Sequence, residues 1–273
     1  MLYKTQGIVL HHTKYNDNNY ILHLFTEEFG KVSYIIYNPN SKRAKVKSSY
    51  IQPFSILDIE VEHHPKKDLQ QIKEAKVQFF GNNILSNPIK SSIVLFLSEV
   101  LYKCLSETEK DTELFSFVKN SILALEQNNT DYANFHLVFL LQLTQFFGFY
   151  PNTKTICEGA YFDMLNGVFC GGQPSHNHYL KRSESEIFYE LLQVDYTTMK
   201  NLKIGRAEKQ VLLRYMMEFY ELHLQTLHKI KSLDVLQAIF NWLRVKFVTP
   251  DKKNYFCKQN LCLRSSMDRT KVS

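Results

Sequence analysis

Along the first eighty positions, apolar and polar residues alternate at the period of an extended strand. Residues 5–10 open the pattern. In 19–26, Tyr20, Leu22 and Leu24 alternate with Ile21, His23 and Phe25, which predicts a second strand. Glu27-Glu28-Phe29-Gly30 then predicts a turn in which Gly30 is free to take positive φ. Residues 31–37, rich in β-branched and aromatic side chains, predict a third strand. Alternation stops over 38–49 and resumes at 55–63 and 69–77. Five short strands interrupted by one long loop predict a small closed barrel of the OB kind. Such barrels bind single-stranded nucleic acid on one face and with their loops.

After residue 80 the period changes. Gly81 and Asn82 end the strands, and Asn87-Pro88 predicts a helix start with proline in the first turn. Ile93, Leu97, Val100, Leu101 and Leu105 follow at helical spacing. Leu114, Phe117, Val118, Ile122 and Leu125 repeat it over 112–125. Residues 131–147 are apolar nearly all round and predict the central helix of a bundle, ended by Gly148 and kept from resuming by Pro151. Residues 152–180 predict irregular structure. Helices are predicted again over 183–193, with Ser183 and Glu186 spaced as a capping box, over 206–229, and over 232–240. The fold class is α+β. An N-terminal OB-fold barrel (1–79) is followed by a helical domain (80–240), and the 241–273 tail stands apart.

Charge refines this picture once it is located. The chain has 33 Lys and Arg against 27 Asp and Glu, a net +6. Residues 241–273 hold eight basic and two acidic residues, so the other 240 balance at 25 of each sign. The tail lacks helical periodicity and Pro250 breaks any helix running into it; it reads either as a basic arm that binds DNA or as a non-native extension, and in either case as dispensable for folding. Within the neutral body one loop is purely basic: 38–49 carries Lys42, Arg43, Lys45 and Lys47 with no acid among them. Those cations can neutralise phosphates without reading sequence. Aromatic side chains of the preceding strand, Tyr34 and Tyr37, can stack on bases, and Lys31 adds a further positive charge.

Enzyme signatures are missing from the sequence. Gly171-Gly172 is not followed by Lys-Ser/Thr, and no Gly-x-Ser-x-Gly occurs. No catalytic residue and no cofactor is expected. Five cysteines, at 104, 157, 170, 257 and 262, suit free thiols in a reducing cytoplasm. Met1-Leu2-Tyr3-Lys4-Thr5 runs straight into a strand pattern, so no signal peptide is expected. No apolar run reaches the roughly 18 residues of a membrane span. His11-His12 and His63-His64 read as solvated strand ends.

The barrel residues also carry a resemblance. Gly7-Ile8-Val9-Leu10, Tyr15, Asp17, the run Thr26-Glu27-Glu28-Phe29-Gly30-Lys31-Val32-Ser33 and Gln52-Pro53-Phe54 resemble the amino-terminal domain of the RecO family. Glu99, Leu114-Phe115, Leu140-Leu141, Gly148-Phe149-Tyr150-Pro151 and Lys231-Ser232-Leu233 extend the likeness to about residue 240. The resemblance implies a mediator of recombinational DNA repair without a catalytic centre. Such proteins bind single- and double-stranded DNA, anneal complementary strands and join RecR. They also engage the acidic tail of the single-strand-binding protein, which helps RecA load. The resemblance implies that the RecR contact lies largely on the barrel. The acidic tail is expected in an apolar groove of the helical body beside a cation. The competing reading, from composition alone, is an OB-fold scaffold whose loop binds acidic proteins.

Some members carry two Cys-x-x-Cys pairs around a Gly-Gly in the segment matching 152–180. Here the matching positions are Cys157, Ala160, Ser175 and His178. Two of four zinc ligands are missing. The segment reads as a degenerate zinc ribbon that packs through Tyr161, Phe162, Leu165, Val168 and Phe169 and holds no metal. A set of Cys157, Cys170, His176 and His178 is the alternative.

Overall fold

The computed structural model describes residues 2–240 except 107, 108, 131, 225 and 228, and follows the backbone of the last helix to residue 248. Five strands close into a barrel: β1 (Leu2–Lys14), β2 (Asn19–Thr26), β3 (Gly30–Tyr37), β4 (Ile56–Glu62) and β5 (Leu69–Phe79), in the order β1-β2-β3-β5-β4. β1 is longer than its apolar run because it pairs antiparallel with β4 through its first half and with β2 through its second. The parallel β3–β5 contact completes the closure. The OB-type barrel followed by a helical body is the architecture the alternation predicts.

Inside the barrel lie Val9, Leu22, Leu24, Tyr34, Leu57 and Val61, all fully buried. The outward face of the same strands is also covered on one side. Ile8, Leu10, Phe25 and Ile56 belong to the core of the helical body, and Phe25 meets Phe115 with ring centroids 5.5 Å apart. The 1–79 segment therefore shares a core with the helices. Each fully buried Leu or Phe contributes roughly 1.5–3 kcal/mol by leaving water. The predicted turn at Gly30 is present, at φ +64°. The Thr26 hydroxyl closes it, donating to the Gly30 carbonyl at 2.9 Å and accepting from the Phe29 N–H at 3.0 Å.

The helical body begins with a short α1 (Asn82–Ser86), then α2 (Pro88–Cys104) and α3 (Thr112–Gln127). Asn87 caps α2 as predicted, its side-chain oxygen accepting from the Ile89 N–H at 3.0 Å and the Lys90 N–H at 3.3 Å. Asp111 caps α3 by accepting from the Leu114 N–H at 2.8 Å. The central helix α4 (Phe135–Phe146) is buried through Phe135, Val138, Phe139, Leu140 and Leu143. It ends at Gly148, φ +78°.

The 152–180 segment is more regular than expected. It forms a small sheet of β6 (Tyr161–Asp163), β7 (Val168–Cys170) and β8 (Tyr179–Leu180), with β6 central. Phe162 and Phe169 fill its buried side, whereas Leu165 is exposed. The predicted capping box is corrected. Helix α5 (Arg182–Leu192) is capped from Lys181, whose N–H donates to the Glu184 carboxylate at 2.9 Å. Ser185 turns inward instead, accepting from the Phe162 N–H at 2.9 Å and so tying the helix to β6. Helix α6 (Arg206–His223) stops six residues short of expectation, and α7 (Ser232–Val248) runs past Phe240. The expectations about the 241–273 tail fall outside the described side chains.

Candidate nucleic-acid interface

Residues 38–47 leave β3 through Asn38, at φ +44°, and fold back over the end of the barrel. Val46, only 3% exposed, plugs into the barrel core beside Ile51, and the Ser48 N–H donates to the Pro39 carbonyl at 3.0 Å. The loop is thereby pinned at its base. Lys42, Arg43, Lys45 and Lys47 remain exposed, and among the described residues none of them forms an ion pair. Pinning matters because ordering a floppy cationic loop on a ligand costs about 1–2 kcal/mol per residue fixed.

A groove of about 280 Å³ runs beneath the loop, lined by Ile35, Tyr37, Arg43, Lys45, Gln71 and Ile72. Tyr37 is 53% exposed at its mouth. The Asn38 N–H donates to the Asn18 carbonyl at 2.8 Å, which holds the loop against the β1–β2 hairpin tip. That tip presents Tyr15, 60% exposed. Two open aromatic rings and four cations therefore share one end of the barrel. In the sequence Tyr15 carries only the family resemblance and is not among the expected site residues. The polar stretch Asn16-Asp17-Asn18 after it is the signal that places it on a turn.

Two sequence-predicted residues are placed elsewhere. Tyr34 is 0% exposed in the barrel core, and it presents no ring face to a base. Burial also pushes its phenol pKa up. Val32 and Ile36, two positions away on either side, share its inward face, so the alternation itself carries this information. Lys31 lies at the opposite end of β3. Its ammonium donates to the Tyr102 carbonyl at 3.0 Å and faces the helical body, away from the basic loop.

The histidine pairs are likewise not simply solvated ends. His63 stacks on Phe29 with centroids 4.1 Å apart. His11 and His23 stack near Tyr102 where the barrel meets α2. In the small sheet, His176 Nε2 lies 3.2 Å from the Asp163 carboxylate and His178 Nδ1 lies 2.8 Å from Glu218. The Cys170 thiol donates to the Gly172 carbonyl at 3.2 Å. These groups point to different partners, and among the described residues no three His, Cys, Asp or Glu side chains converge on a metal position. Nor is any described helix long and apolar enough to cross a membrane.

A second groove, of about 660 Å³, lies between β1, α2 and α7. Leu95, Tyr102 and Val235 give it apolar walls, and Lys103 and Lys231 stand at its rim. Glu99, also in the wall, is committed internally: it accepts from the Ser232 hydroxyl at 2.6 Å and faces Lys103 at 3.4 Å.

An OB-type barrel with a pinned cationic loop at one end, joined to a helical body, defines the architectural class. Comparison with known proteins narrows the class. Residues 1–80 match the family model "Recombination protein O N terminal", and residues 85–234 match "Recombination protein O C terminal". The chain is 43% identical to the DNA repair protein RecO of Azobacteroides pseudotrichonymphae over 241 residues, 88% of this chain and 100% of that protein. It is 39% identical to the DNA repair protein RecO of Phocaeicola vulgatus over 241 residues, again 88% of this chain and 100% of that protein. With that of Flavobacterium psychrophilum it shares 34% over 243 residues, at the same two shares. The chain belongs to the RecO family of DNA repair and recombination proteins.

Proposed function

We propose that this chain is a recombination mediator that binds single- and double-stranded DNA through the 38–47 loop and the adjoining barrel end. The supporting observation is the pinned loop with its four exposed cations next to Tyr15 and Tyr37. Lys42, Arg43, Lys45 and Lys47 neutralise phosphates, while Tyr37 and Tyr15 supply stacking faces worth about 1–3 kcal/mol per base. Neutralising both strands lowers their repulsion, and base pairing then drives annealing without a nucleotide cofactor. The chain acts in the cytoplasm, without a catalytic centre or a membrane partner.

The barrel also carries the contact to RecR. The groove between α2 and α7 takes the acidic tail of the single-strand-binding protein. Its apolar walls suit a hydrophobic chain end, and Lys231 at the rim suits the carboxylates. RecA then loads on the DNA so released. The deciding experiment replaces Lys42, Arg43, Lys45 and Lys47 together with Gln. Affinity should fall for every sequence tested, and the slope of log affinity against log salt should drop by about two to four units. A folded variant with an unchanged slope rules out the loop as the DNA surface. If short oligonucleotides cannot displace the bound partner, the loop serves acidic proteins instead.

A further inference from the structure

At one corner of the small sheet the Cys157 sulfur lies against the backbone of Gly171, the residue that follows Cys170. Cys157 is exposed, Cys170 is half-buried, and both are free. The turn after Cys157 closes with the Ala160 N–H donating to the Cys157 carbonyl at 3.2 Å. It delivers the chain to Tyr161, which pairs with Cys170 across the hairpin. Cys157 therefore returns beside the residues that follow Cys170. Its sulfur lies 3.4 Å from where a Cβ on Gly171 would stand, and around the same point on Gly172 there is open space. Two glycines in succession leave the corner uncrowded and free to turn. The Cys170 thiol is held only by weak donation to the Gly172 carbonyl at 3.2 Å and a longer approach to the Tyr161 carbonyl at 3.7 Å. Cys104 is buried in the helical core and takes no part.

We propose that Cys157 and Cys170 form a reversible disulfide by exchange with a small-molecule disulfide of the glutathione kind. Cys157 lines an open groove of about 370 Å³ bounded by Ile156, Glu158 and Tyr189, which gives such a molecule a way in. The Cys157 thiol loses its proton, and its sulfur attacks one sulfur of glutathione disulfide. That S–S bond breaks, and one glutathione leaves as thiolate and takes up the proton. Cys170 then loses its proton and attacks the Cys157 sulfur of the mixed disulfide, releasing the second glutathione. Two electrons pass from the protein dithiol to the glutathione disulfide. Burial first, and then the Asp163 carboxylate, push the Cys170 thiol pKa up, which suits the second, resolving role. The bridge would staple the 157–160 turn to the end of β7 and stiffen one wall of the groove.

The test incubates the full chain with oxidised glutathione and maps the products by peptide mass spectrometry. A Cys157–Cys170 peptide is expected, with loss of both thiols, reversal by dithiothreitol, and formation at least about tenfold faster in folded than in urea-unfolded protein. Cys170→Ser should stop at a glutathione adduct on Cys157. The proposal is overturned if the unmutated chain keeps both thiols, or accumulates the adduct. Pairing of Cys157 with Cys257 or Cys262, or equal rates folded and unfolded, would overturn it as well.

Discussion

The Lys31 ammonium donates to the Tyr102 carbonyl at 3.0 Å and stands 5.2 Å over the Tyr102 ring. One lysine of β3 thus holds the C-terminal part of α2 against the barrel. Removing a charged hydrogen bond and a partly desolvated cation–π contact costs about 1–3 kcal/mol. Lys31→Met should therefore lower the urea midpoint while leaving the salt slope of DNA binding where it was. A reduced slope without loss of stability would return Lys31 to the DNA surface.

Tyr34 supplies the opposite test. Its hydroxyl is buried with no hydrogen-bond partner among the described residues. An unmet buried hydroxyl costs about 1–3 kcal/mol. Tyr34→Phe should melt at the same temperature or higher and bind DNA unchanged, whereas Tyr37→Ala should weaken single-strand binding with no effect on melting. Calorimetry and fluorescence anisotropy on the two variants separate core from platform. Weaker DNA binding by Tyr34→Phe would contradict this placement.

Much of the fold is legible in the residue pattern, and the misses have physical causes. The period-2 runs of 19–26 and 31–37 fix strands because a barrel wall has an inside. Asn87-Pro88 fixes a helix start because cap and proline act locally. The loop cations are legible because no acid stands among them. The role of Lys31 is not: it shares a face of β3 with Tyr37, and only the long-range packing of α2 on one end of the barrel separates their surroundings. At α5 the spacing predicts a cap at Ser183–Glu186, whereas the helix starts two residues earlier with the Lys181 N–H donating to Glu184. The burial of Ser185 under β6, a tertiary contact, sets that earlier start.

Gly30 makes the barrel's junction with the helical body sensitive to a single carbon atom. At φ +64° a Cβ there would collide with the Glu109 carbonyl oxygen. Strain in the left-handed region adds on the order of 1 kcal/mol to that backbone clash. Gly30→Ala should destabilise by about 2 kcal/mol or more, read as a lower urea midpoint. The neighbouring Glu28→Gln, which breaks only an exposed ion pair with Lys110 (2.9 Å), should cost less than about 1 kcal/mol. Equal effects of the two would mean that the Gly30 backbone can relax away from Glu109.

Acid should loosen the fold before it reaches the carboxylates. Burial lowers His136 to about 3, with Lys209 adding to the effect. Burial lowers His23 to about 4, with His11 and Lys31 adding. Both folded values lie below the ordinary value of 6.5, so the unfolded chain takes up these protons first. The stability they support is present above about pH 6.5 and declines as pH falls toward the folded values. The urea midpoint should drop between pH 7 and pH 5.5, and His136→Leu should flatten that drop. An unchanged slope in this variant would assign the acid sensitivity to other groups.

The groove between α2 and α7 yields the last prediction, which rests on the proposed docking of an acidic protein tail. Val235 is 44% exposed and Leu95 is 41% exposed, and both line this groove. Lys231 is exposed at the rim, whereas Lys103 is ion-paired with Glu99. Lys231 is therefore the better candidate for long-range attraction, and the apolar pair for grip. Lys231→Glu should weaken an acidic tail peptide most at low salt, and the difference should shrink as salt screens it. Val235→Asn should weaken the same peptide by a similar factor at all salt concentrations, since it removes apolar contact without changing charge. Neither change should alter the binding of a bare oligonucleotide, because both residues lie on the helical body away from the 38–47 loop. Peptide anisotropy at two salt concentrations reads the pair. If both variants bind the peptide as the unmutated chain does, the tail docks elsewhere.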